Sequence, residues 1–226
     1  MNKKLLALSV AVGVALCGVA QAGDIIPVYG DPANTGYFDP NAAAPVAGNP
    51  GTTVGEQRRI VAQFAADLWG SILVSDVPVL IGARFVPLAT NVLGSAGTNY
   101  AFANFPNAGK QDTWYVGALA ESLAGEDLNE EDLDISSNFS TNFSFYLGLD
   151  GNTPATQSSL LDVIMHEYGH GLGFANLETE ATGAWLLGAP DIYSTFTYDN
   201  TAGMFWTHDA ACCPCPSRTC RRCCRR

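Results

Sequence analysis

Ser159-Leu160-Leu161-Asp162-Val163-Ile164-Met165-His166-Glu167-Tyr168-Gly169-His170-Gly171-Leu172-Gly173-Phe174 is the stretch around which the chain is organised. It contains His-Glu-x-x-His. Residues four apart lie on one face of a helix, so His166 and His170 can point at one metal ion. Glu167 sits beside His166, within reach of a water on that ion. Two neutral imidazoles with an open position suit zinc, which lowers the pKa of its water and polarises a carbonyl. Glu167 is then the base that takes the proton.

The flanks support a helix. Leu160, Leu161, Ile164 and Met165 recur at helical spacing. Ser158 or Ser159 can cap the start, and Gly171 and Gly173 can stop the end. Two histidines on an ordinary core helix are the bland alternative. The chain has 3 His, and two of them fall here at ligand spacing.

The run His166-Glu167-x-x-His170-x-x-Gly173-x-x-Asn176 resembles the metzincin zinc proteases, whose signature is His-Glu-x-x-His-x-x-Gly-x-x-His or Asp. The resemblance implies an α+β domain with a mixed sheet, a long packing helix and an active-site helix. It also implies a turn at Gly173 that brings a third ligand to zinc. The match departs at Asn176, because a neutral amide is a poor zinc ligand. The wider stretch, from about Val54 to His208, is similar to bacterial secreted metalloproteases, some of which carry an inserted protease-associated domain. No such insertion is evident in this sequence.

Residues 1–22 read as a secretory signal peptide: Lys3 and Lys4, an apolar run, then Ala20-Gln21-Ala22 as the cleavage site. The run is short for a membrane anchor and no second span follows, which predicts a secreted or periplasmic protein free of the membrane after cleavage. Residues 23–211 hold all 22 acidic residues against Arg58, Arg59, Arg84 and Lys110. So acidic a body has no footprint for nucleic acid. Asp127, Glu130, Glu131, Asp132 and Asp134 cluster. They raise calcium as a weaker, composition-level expectation, without calcium-loop spacing.

Residues 23–52 read as an extended lead-in with one edge strand at 25–29. Thr53-Val54-Gly55-Glu56 reads as a capping box, opening a packing helix over 54–73. A strand is predicted over 78–85, a loop over 88–109, and a short helix over 114–124. Further strands are predicted over 133–137 and 142–149. In the enzymes resembled, a strand edge above the cleft pairs with the substrate backbone, a role open to either of these strands. Asp150-Gly151-Asn152 reads as a turn.

Beyond Gly173 the third ligand is open. Asp191 and His208 have the right chemistry and Asn176 the family position; Glu178, Glu180 and Asp209 are further acidic candidates. Met204 reads either as a methionine turn beneath the metal or as an ordinary apolar residue. Tyr193 or Tyr198 could donate to an oxyanion. Residues 212–226 hold six Cys and five Arg, with no Cys between residue 17 and this tail. This composition break points to a non-native tail, and because the enzymes resembled need a lower subdomain after the zinc helix, the resemblance implies that the domain, 53–211, is incomplete. The expectation is a secreted zinc endopeptidase acting on peptide or protein substrates. The alternative is an inert or truncated zinc-binding domain.

Overall fold

The computed structural model describes residues 23–205, apart from Glu131, Glu180, Ala202 and the side chains of Asp199 and Met204. The signal-peptide reading, His208, Asp209 and the Cys/Arg tail lie outside the described residues.

Ten strands are described, most of them short. They are β1 (Ile25–Tyr29), β2 (Val79–Val86), β3 (Gly94–Thr98), β4 (Ala101–Phe102), β5 (Tyr115–Val116), β6 (Ile135–Ser140), β7 (Phe145–Tyr146), β8 (Ser158–Ser159), β9 (Tyr198–Asp199) and β10 (Met204–Phe205). The α-helices are α1 (Val54–Gly70), α2 (Gly117–Ala124) and α3 (Leu160–Leu172). The architecture is α+β around one mixed sheet of order β1-β2-β6-β3. β1, β2 and β6 run parallel, and β3 is antiparallel on the outer edge. A parallel pair needs a long crossover, and α1 supplies it between β1 and β2.

β2 alternates as a half-buried strand should: Val79, Ile81, Ala83 and Phe85 are buried, and Leu80, Gly82, Arg84 and Val86 less so. On the buried face these meet Ile135 and Phe139 of β6, Val61, Ala62 and Ala65 of α1, and Leu160, Ile164 and Tyr168 of α3. Thr53 Oγ1 caps α1 by accepting the Glu56 N–H at 3.1 Å. The Glu56 carboxylate reaches back one residue further than a standard capping box, to Thr52 N–H and Oγ–H. α1 is tied to α3 by Trp69 Nε1–H, which donates to the Met165 carbonyl at 3.1 Å.

Residues 23–52 do more than lead in. β1 is paired along its length with β2, and Tyr37 is fully buried against Phe85 and Phe139. One carboxylate holds this together: Asp31 accepts from Tyr37 N–H and from Phe85 N–H, both at 2.9 Å.

Two expectations are corrected. The stretch 88–109 contains the edge strand β3, and the stretch 142–149 yields only the two-residue β7. Gly94-Ser95-Ala96-Gly97-Thr98 carries no alternation of large side chains, so nothing in its pattern reads as a strand. Its small residues suit close contact with α3. A methyl placed at Gly94 would stand 3.0 Å from Val163 Cγ1 and 2.8 Å from Glu167 Cγ.

Candidate functional site

α3 starts where Ser159 Oγ accepts the Asp162 N–H at 3.1 Å. It ends in a Schellman pairing, with Gly173 N–H donating to the His170 carbonyl at 3.2 Å and Phe174 N–H to the Gly169 carbonyl at 2.9 Å. Gly173 has φ 132, a conformation that suits glycine. Leu160, Ile164 and Tyr168 anchor the helix in the core at four-residue spacing. Gly171 lets α3 lie close on the sheet, since a methyl there would stand 2.5 Å from Ile135 Cγ2.

That anchoring turns His166 and His170 away from the core. Their Nε2 atoms lie 3.0 Å apart and their rings are nearly perpendicular, at 87°. His166 is exposed and His170 half-buried. A carbonyl only accepts, so His170 Nδ1–H donates to the Phe174 carbonyl at 2.7 Å. In the neutral ring this leaves a lone pair on Nε2. A metal-bound histidine ordinarily shows such an outer partner. A tetrahedral zinc bonded to two imidazoles at about 2.0–2.1 Å holds their nitrogens about 3.3 Å apart. The observed 3.0 Å is hydrogen-bond distance: with His170 Nδ1 carrying its proton, His166 Nε2–H donates to the bare His170 Nε2.

Glu167 points elsewhere. It is buried, and a methyl at Gly94 would lie 3.1 Å from its Oε1. The carboxylate thus rests against the outer strand β3. Of the strands first considered for a substrate edge, β6 lies inside the sheet between β2 and β3, with both edges paired.

The third ligand is not assembled among the described residues, where no group of three His, Cys, Asp or Glu is placed to hold a metal. Asp191 is committed elsewhere. It is 3 % exposed and accepts hydrogen bonds from Leu177 N–H, Ser194 N–H and Ser194 Oγ–H. Asn176 lies exposed on the turn after α3. Glu178 accepts from Trp185 Nε1–H at 3.1 Å, and burial, aided by the nearby Asp191 charge, raises its pKa. Tyr193 packs against Phe174 with ring centroids 6.0 Å apart. Tyr198 pairs with Phe205 at 5.3 Å in the β9–β10 hairpin that also carries the Met204 backbone.

Three carboxylates of the acidic cluster read for calcium accept hydrogen bonds, from their own loop and from neighbouring segments. Asp127 accepts from Asn129 and Glu130 N–H, Asp132 from Tyr100 O–H, and Asp134 from Leu80 N–H and Asn129 Nδ2–H.

Sequence reading missed two parts of the site. One is the Phe174 carbonyl, a backbone atom that no motif marks. The other is Gly94, whose only signal was glycine in a segment of small residues. No protein-family model matches the chain, and no curated protein or solved structure matches it either.

Proposed function

We propose that the chain is a secreted zinc-dependent endopeptidase of metzincin type. The observation that carries this is the pair of Nε2 atoms 3.0 Å apart, with His170 Nδ1 committed to a carbonyl and Glu167 buried alongside. His166 and His170 would hold the zinc, and the third position falls to Asn176 or to His208. When bound, zinc supplies a polarising charge that acidifies a water and draws on a substrate carbonyl. Glu167 takes a proton from the attacking water and later gives it to the leaving amine. The outer edge of β3 lies beside Glu167, so an extended peptide that added to it would bring its carbonyl near this carboxylate. Among the described residues that edge is unpaired, and an unpaired edge recognises backbone, which favours peptide over other hydrolysable substrates.

The lack of a third ligand among the described residues favours a second reading, an inert zinc-binding domain. One experiment separates them. Purified protein is assayed for bound zinc and for casein hydrolysis beside Glu167→Ala. One zinc in both, with hydrolysis falling by about 10²–10⁴-fold in the variant, is expected for the protease. Zinc in both with no hydrolysis in either supports the inert domain. A folded protein that takes up no zinc overturns both.

A further inference from the structure

Asp191 stands at the centre of a polar knot. Ser194 N–H donates to Oδ1 at 2.8 Å, Ser194 Oγ–H to Oδ2 at 2.8 Å, and Leu177 N–H to Oδ2 at 3.0 Å. The first two bonds stay within the turn that Asp191 begins. The third crosses to the segment leaving α3.

That segment is short and held at both ends. At its start the Phe174 N–H closes on Gly169 and the Phe174 carbonyl accepts His170 Nδ1–H. At its end Leu177 is fastened to Asp191. Asp191 is in turn bracketed by the body of the protein. Trp114 N–H donates to the Pro190 carbonyl and Ile192 N–H to the Trp114 carbonyl, both at 2.8 Å. Trp114 leads into β5 and α2, whose Val116 and Leu119 lie 3.7 and 3.9 Å from where a methyl on Gly173 would be. Tyr193, two residues past Asp191, packs its ring at a tilt against Phe174.

We infer that Asp191 is a positioning residue for His170. Through Leu177 N–H it clamps residues 174–177, so that the Phe174 carbonyl stays on Nδ1 and the Nε2 lone pair stays turned toward His166. The role asks for a carboxylate, because backbone N–H groups arrive at both oxygens. An amide would set its NH₂ against one of them. The consequence for metal binding rests on the proposed function; the clamp itself does not.

The test is made on full-length, 15N-labelled, metal-free protein. Long-range proton–nitrogen NMR reads the His170 tautomer. Wild type is expected to carry the proton on Nδ1. Asp191→Ala is expected to move it largely to Nε2, to speed hydrogen exchange at the Leu177 amide, and to weaken zinc binding by about 10–100-fold, the usual cost of losing a metal ligand's outer support. Leu177→Pro removes the same bond while leaving the carboxylate and Ser194 in place. It is expected to give the same tautomer change, which keeps the inference testable if Asp191→Ala does not fold. An Nδ1 proton that stays in both variants overturns the clamp. So does zinc lost from Asp191→Ala with the tautomer unchanged, which would make Asp191 a direct ligand. Wild type that binds no zinc defeats the proposed function, and the tautomer alone then decides the clamp.

Discussion

The body that ends with α3 and the segment that follows it are held by different forces. In the body, Ile81, Ile135, Phe139, Leu160, Ile164 and Tyr168 are fully buried. Past Gly173, Phe174, Leu187 and Phe196 are 67 %, 82 % and 71 % exposed, while the buried residues among those described are polar, Asp191 and Ser194. The described elements there are 3-10 turns of three residues and a two-residue hairpin. Burial of apolar area is non-directional and forgiving, whereas a knot of hydrogen bonds fails when one partner goes. The two imidazoles therefore stand on the robust half, and the carbonyl that accepts from His170 Nδ1 belongs to the fragile one.

The widest contrast comes from paired truncations. Phe139→Ala in the sheet is expected to cost about 3–5 kcal/mol. Leu187→Ala on the exposed turn should stay within about 0.5 kcal/mol. Urea unfolding measures both, and equal costs would erase the distinction between the halves. A smaller effect is expected at the close approach of α3 to the sheet. Gly171→Val drives side-chain atoms into Ile135, an overpacking worth about 1–3 kcal/mol. For a domain of this size that lowers Tm by about 2–4 °C per kcal/mol, which a thermal scan would detect. An unchanged Tm would mean the helix rides further from β6.

A pH-dependent effect concerns a polar weakness in the body itself. Glu121 is buried beside Asp134, and burial, then the hydrogen bond with Asp134 and its charge, push the Glu121 carboxyl up from 4.5 to about 8. The folded state keeps a proton that the unfolded chain releases. Stability from this pair is present at low pH and falls as pH rises from about 4.5 to about 8. Glu121→Gln keeps the hydrogen bond without the proton. It is expected to flatten that decline, so the variant gains on wild type toward pH 8. Unfolding midpoints at pH 5 and pH 8 would show parallel behaviour if the carboxyl were already ionised in the fold.

Much of the body was legible because periodicity and caps are local. The helix predicted over 54–73 runs Val54–Gly70, the strand predicted over 78–85 runs Val79–Val86, and the edge strand at 25–29 is β1. The Ser159 cap and the Gly173 stop were readable for the same reason. The edge strand β3 was not. Its residues are small because α3 and Glu167 lie against it, and that neighbour is distant in sequence. Asp191 shows the limit for single residues. Its type fitted a metal ligand, but three donors from Leu177 and Ser194 decide its use.

By itself the sequence determined the helix, the spacing that sets two imidazoles on one face, and the acidity of the body. These follow from 3.6-residue geometry and from charge, and neither needs a partner segment. Only the tertiary structure decided which strand lies against Glu167, which carbonyl orients His170 and where Asp191 is spent. Each of those joins residues far apart in the chain or atoms of the backbone, where residue type carries no signal.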